Sequence, residues 1–238
     1  GLVVAKAAID RLISYGNKDV SSKIQSYLDD LLWMIIPLSL NPCAPGQGAI
    51  AVEVNSKRKD IIELINKINH IETFSQVIKE REILQNYGGG CHQKIGVSIQ
   101  SKFFGKILTI KGQTEEGLKI EKREVVNQNT DWKNIPEANF FPSNISKYKL
   151  FDRKIINKNF KKINILKNTN IYVSRENALP RDQNIELTNV VWTSGVKTWK
   201  KLAKKGYWIN GSSDSLGEED PEIKCLSKNK RWVKLTHN

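Results

Sequence analysis

Residues Gly88-Gly89-Gly90-Cys91-His92-Gln93-Lys94-Ile95-Gly96 place one of the chain's three cysteines directly after a glycine run. Glycine tolerates positive φ and close packing because it has no Cβ, so this window predicts a turn that presents the thiol. A thiolate is a soft nucleophile, so a presented Cys91 is the first candidate for chemistry in this chain. A second loop, Asn41-Pro42-Cys43-Ala44-Pro45-Gly46-Gln47-Gly48, has the composition that brings backbone amides close to a bound molecule. His70, Glu80, Arg81 and His92 are further polar residues near these loops in sequence; His92, next to the thiol, invites a role as general base.

These residues need elements to hold them. Leu2 to Leu12 predicts a helix closed by Gly16, and Ser21 to Leu32 a second one capped by Ser21 or Ser22. After the Pro/Gly loop, Ile50, Val52 and Val54 alternate as in a strand. Asp60 to Asn69 and Glu72 to Tyr87 predict two more helices. In the later one Phe74, Val77, Ile78 and Leu84 are expected on one stripe, His70 near its start, and Gly88 in the left-handed conformation at its end. Glu80 and Arg81 are expected to pair within or between helices. Strands are expected over Ile95 to Gln100, Lys106 to Lys111 and Leu118 to Val125, the last two joined by a turn at Thr114-Glu115-Glu116-Gly117.

The chain of 238 residues is 39% hydrophobic, enough for one large or two ordinary domains. The apolar run from Leu31 to Leu40 contains Pro37 and is far short of the roughly 20 residues that span a bilayer, so no membrane association is expected. Cys43, Cys91 and Cys225 show no paired spacing, which signals neither a disulfide framework nor a zinc site and fits a cytoplasmic setting. Gly1 followed by Leu-Val-Val-Ala carries neither an initiator Met nor the basic flank of a signal peptide, so the chain is expected to start inside a fold. Of the net charge of +13, residues 1–130 carry +3 and residues 131–238 carry +10. The excess coincides with a Lys/Asn/Ile-rich tract, Lys147 to Asn170, with Lys154, Lys158, Lys161, Lys162 and Lys167. A non-catalytic anion- or nucleic-acid-binding role for residues 147–167 is therefore the alternative to a catalytic one.

Ala44-Pro45-Gly46-Gln47-Gly48-Ala49, His70-Ile71-Glu72-Thr73, Glu80-Arg81 and Gly89-Gly90-Cys91 with Ile95-Gly96 resemble, in order and spacing, the second half of the hydroxymethylbilane synthase (porphobilinogen deaminase) family. The resemblance covers about Gly1 to Val125. It implies a transferase of porphyrin and heme biosynthesis that joins four porphobilinogen units onto a cysteine-linked dipyrromethane and releases the linear tetrapyrrole hydroxymethylbilane, with loss of ammonia at each addition. Cys91 would be the attachment site of the dipyrromethane cofactor. Arg11 would bind the acid side chains of the growing chain, as arginine suits carboxylates, and Gly46, Gln47, Gly48 and Gly90 would lie beside the cofactor. The family usually shows a non-histidine residue at the position of His92, which weighs against that residue as a base. The family's catalytic aspartate lies upstream of the matching motifs, so no catalytic residue is assigned in this chain and little synthase activity is expected of it alone. Asn127 to Asn144, with Pro136 and Pro142, departs from the family pattern.

Val191-Trp192-Thr193-Ser194-Gly195 through Thr198-Trp199, Leu202 and Gly206, then Trp208-Ile209-Asn210-Gly211-Ser212-Ser213-Asp214, resemble the C-terminal part of uroporphyrinogen-III synthase. That activity, in the same chain or as a partner, would consume the linear tetrapyrrole. Here a strand, a small polar loop, a helix from near Val196 to Gly206 and a short strand with a Gly/Ser turn are expected, and Thr193, Ser194 and the helix amides could hold a carboxylate. The expected fold class is mixed α+β and α/β. Residues 1–55 would be the end of the second domain and the return strand of a periplasmic-binding-protein-like pair. Residues 56–126 would form a small cofactor-carrying α+β domain with a three-stranded sheet, 127–170 a basic linker and 171–238 a partial uroporphyrinogen-III synthase-like segment. No metal is expected.

Overall fold

The computed structural model describes residues 1–90, 93–126, 163–179 and 183–236. Cys91, His92, residues 127–162 and with them most of the basic tract lie outside the described residues. The chain is a mixed α/β protein that divides into two compact units, residues 1–35 with 130–238, and residues 36–129.

In the second of these, helices α3 (Lys59–Asn66) and α4 (Ile71–Gln85) precede an antiparallel sheet in the order β1 (Lys94–Lys102), β2 (Gly105–Gln113), β3 (Lys119–Val126). Alternation sets the sheet's inner face: Val97 pairs with Ile110 and Ile99 with Leu108, and these residues pack with Ile83 and Leu84 of α4 and with Tyr87 just after it. Gly117, at φ 87°, closes the expected turn, whose Thr114 carbonyl accepts from its amide at 3.0 Å. Gly96 is required by a close approach, since a Cβ there would collide with the Pro42 carbonyl oxygen.

Two expectations fail here. Residues 50–54 form no strand, and Ile50 is 93% exposed. Apolar alternation qualifies a segment for a sheet, but a strand exists only where another edge accepts its hydrogen bonds. The stripe on α4 is also rotated: Phe74 and Ile78 are exposed, while the inward line runs through Val77, Glu80, Leu84 and Tyr87. At about 100° per residue, Phe74 and Ile78 stand roughly 120° and 160° around the helix from Glu80, so the side that holds Glu80 inward turns them out.

In the other unit, α1 (Lys6–Tyr15) and α2 (Lys18–Asp30) form a helical hairpin. The cap of α2 is Asn17, whose Oδ1 accepts from Val20 N at 2.9 Å, four residues before the expected Ser21. Ser21 instead donates to the Ile13 carbonyl at 2.9 Å and so satisfies an end of α1. A parallel sheet follows in the order β6 (Gly211–Ser212), β5 (Val190–Thr193), β4 (Asn170–Val173), β7 (Trp232–Leu235). All residues of β4 and β5 are buried, as expected for parallel strands covered on both faces. On one face Ile171, Val173 and Val191 pack with Leu179, Leu202 and Ile209; on the other Tyr172, Val190 and Trp192 pack with Ile223, Trp33 and Ile35. The expected strand, loop and helix are present, with α5 spanning Val196–Ala203 and Gly206 at φ 90°. Gly211 admits the Trp192 indole, into which a Cβ would project.

Candidate functional site

The loop from Pro42 to Ala49 lies along β1 and α4. Val97 N donates to the Cys43 carbonyl at 3.0 Å, which places the loop on the outer edge of β1. Two residues further along that edge, Ile99 N donates to Glu80 Oε1 at 2.7 Å, and the other oxygen of the same carboxylate accepts from Gly46 N at 2.8 Å. Glu80 is buried, and these short charge-assisted bonds occupy both of its oxygens. The expected helix pairing of Glu80 is therefore replaced by two backbone contacts. Arg81, its neighbour, is exposed.

Gly46 and Gly48 have φ of 73° and 86°. The turn between them is closed by Gln47 N to the Ala44 carbonyl at 3.0 Å and Ala49 N to the Gly46 carbonyl at 3.1 Å. A Cβ on Gly48 would meet nothing within 4 Å, so this part of the loop borders open space. The glycine-run turn leaves α4 in the expected conformation: Gly88, Gly89 and Gly90 have φ of 99°, 67° and 90°. Gly89 N donates to the Leu84 carbonyl at 3.2 Å, ending the helix in the way a left-handed cap does. His70 caps the other end, with Nδ1 accepting from Thr73 N at 3.3 Å and lying 2.7 Å from Thr73 Oγ1. This is a local, structural role at the helix start.

Gly46, Gln47, Gly48 and Gly90 thus share one unit with Glu80 and β1. Arg11 is on α1 in the other unit, exposed, with Nε donating to the Ala7 carbonyl at 3.3 Å. Cys43 and Cys225 are free thiols, Cys43 exposed. Around the glycine loop, Gly46 and Gly48 carry no side chain, and the space over Gly48 is open. Sequence reasoning missed Glu80 as an anchor. A signal was available in the placement of an acidic residue on the inward line of an otherwise apolar helix face.

The parallel-sheet unit has different chemistry. Thr193 Oγ1 donates to the Gly195 and Gly211 carbonyls at 3.3 and 3.4 Å, and Ser194 Oγ to the Ser174 carbonyl at 2.6 Å, so both hydroxyls are engaged by backbone. A groove of about 640 Å³ in this unit is lined by aromatic and apolar residues, including Met34, Trp199, Tyr207 and Trp208, together with Lys205. Among the described residues, Arg11, Gly46, Gln47, Gly48 and Gly90 do not border it. Glu176 accepts from Lys205 and Lys201 at 2.8 and 2.9 Å, and these bonds hold its carboxyl down at about 2. Burial pushes the Tyr172 phenol up. Among the described residues, no group of three or more His, Cys, Asp or Glu could hold a metal ion, and no helix is long and apolar enough to cross a membrane.

No family model and no solved structure matches the chain. Curated proteins do. A porphobilinogen deaminase of Alkaliphilus metalliredigens is 31% identical over 134 residues, which is 56% of this chain and 37% of that protein. One of Desulforamulus reducens is 33% identical over 100 residues, 42% of this chain and 32% of that protein, and one of Pelotomaculum thermopropionicum is 39% identical over 67 residues, 28% and 22%. The chain therefore spans about a third or less of the length of these curated relatives. Over that part, the protein is similar to porphobilinogen deaminases.

Proposed function

We propose that this chain contributes the cofactor-carrying part of a porphobilinogen deaminase, a transferase of tetrapyrrole biosynthesis working in the cytoplasm, with Cys91 as the thioether anchor of dipyrromethane. The observation that carries the reading is the similarity to porphobilinogen deaminases, joined to a run of three positive-φ glycines that ends at the residue before Cys91. When bound, dipyrromethane supplies the primer on which porphobilinogen units are assembled into the linear tetrapyrrole. The chain's own residues hold and shield it. The Gly46-Gln47-Gly48 turn offers backbone without side-chain bulk, Gly90 lets the chain turn into Cys91, and Arg11 is the candidate for an acetate or propionate group through a charge-assisted hydrogen bond. Residues 171–238 are proposed as a uroporphyrinogen-III synthase-like segment, whose substrate would be that linear product. Support for this is local: the strand, polar loop and helix at Val190–Ala203 follow the order expected from the resemblance.

Intact mass of the protein purified from cells that make porphobilinogen tests the anchor. A dipyrromethane increment is expected on the wild type and absent from Cys91→Ala. A wild-type protein carrying a bare thiol at Cys91 would overturn the reading.

A further inference from the structure

The outer edge of β1 is protected in an unusual way. Unpaired edge amides invite another strand, and a protein commonly covers them with a loop or a further strand. Here the chain itself begins to do so: the Cys43 carbonyl accepts from Val97 N as a neighbouring strand would. The chain then turns away at Pro45 and Gly46, and Glu80 Oε1 receives the next outward amide, that of Ile99, at 2.7 Å. The departing loop stays attached because Oε2 takes the Gly46 amide at 2.8 Å. One buried carboxylate therefore stands in for the missing strand carbonyl and also fastens the loop that leaves the edge.

We propose that Glu80 is a positioning residue that fixes the Gly46-Gln47-Gly48 turn against α4 and β1. The part of this inference that concerns the cofactor rests on the function proposed above. The physical case lies in what each replacement could do. Glutamine has the same shape but only one acceptor oxygen, and its NH2 faces an amide that also donates, so one of the two contacts is lost. Leaving a buried amide without an acceptor raises its opening equilibrium by about tenfold or more. Aspartate keeps the charge and both oxygens but falls one methylene short, so it cannot reach both amides from the same helix position.

Hydrogen exchange of the full chain, read by peptide mass, tests the clamp. In Glu80→Gln, peptides containing Gly46 or Ile99 are expected to exchange about tenfold faster or more, while those of β5 keep their wild-type rate. Unchanged exchange at both amides overturns the proposal. Should glutamine unfold the antiparallel sheet, seen as loss of protection throughout β2, Glu80→Asp gives the answer: one of the two amides must lose protection, and full protection of both overturns the proposal. Intact mass of the folded variants, made in porphobilinogen-producing cells, separates positioning from mere stability. Loading at Cys91 should fall several-fold in Glu80→Gln and recover in part in Glu80→Asp; equal loading in a loosened loop overturns the positioning role. A wild-type protein without adduct would defeat the cofactor reading alone, and the exchange measurement would still decide the clamp.

Discussion

The two units solve the problem of burial differently. The parallel-sheet unit encloses β4 and β5 completely, with Ile171, Val173 and Leu202 at 0% exposure and apolar residues packed on both faces. The antiparallel unit covers its sheet mainly from one side with α4, and its β3 has no fully buried residue. Large apolar side chains stand in solvent around it, among them Ile50, Ile68 and Phe74. The first unit is held by a core, whereas the second also relies on specific polar contacts at Glu80. A chain with few deeply buried residues can still fix a loop accurately when one carboxylate satisfies two backbone amides.

The contrast can be broken most strongly from inside the parallel-sheet unit. Leu202→Ala removes a fully buried side chain from the face that packs on Ile171 and Val191 and should cost about 2–5 kcal/mol. Chemical denaturation followed by hydrogen exchange checks this, with the expected loss concentrated in β4 and β5. A smaller effect is expected at the glycine loop. Gly48→Ala meets no atom but is forced to keep φ near 86°, a left-handed strain of about 1–2 kcal/mol. The variant should fold, and urea unfolding should report the difference while β4 and β5 exchange as in wild type.

The smallest effect concerns charge. Glu176 has its carboxyl depressed to about 2 by Lys205 and Lys201, so its folded-state value lies below the ordinary carboxylate range. The stabilisation from these pairs is complete above the unfolded value and is lost as pH falls through about 2. An NMR titration should therefore find the Glu176 carboxyl still ionised at pH 3, and Lys205→Gln should move its midpoint up. Because the pairs are partly exposed to solvent, high salt should weaken the shift.

Local chemistry made much of the fold legible. The helix formers of α1, the helix formers and caps around α4 and α5, the alternation in β1 to β3 and the turn at Gly117 act over a few residues, and the structure contains these elements close to their expected places, α1 beginning at Lys6 rather than Leu2. The positive φ of Gly46, Gly48, Gly88 and Gly90 belongs to the same class, since glycine alone enters that region without strain. What local chemistry could not supply was a choice among distant partners.

Residue types and spacing by themselves determined where this chain can bend and which stretches favour helix or strand. Only the tertiary structure decided that Ile50 to Val54 forms no strand, that Trp33 and Ile35 cover one face of a parallel sheet, and that Glu80 turns inward to hold Gly46 and Ile99. The physical reason is common to all of them. A hydrogen-bond donor or an apolar face carries no address, and its partner is selected only when the whole chain is brought together and the competing pairings are compared.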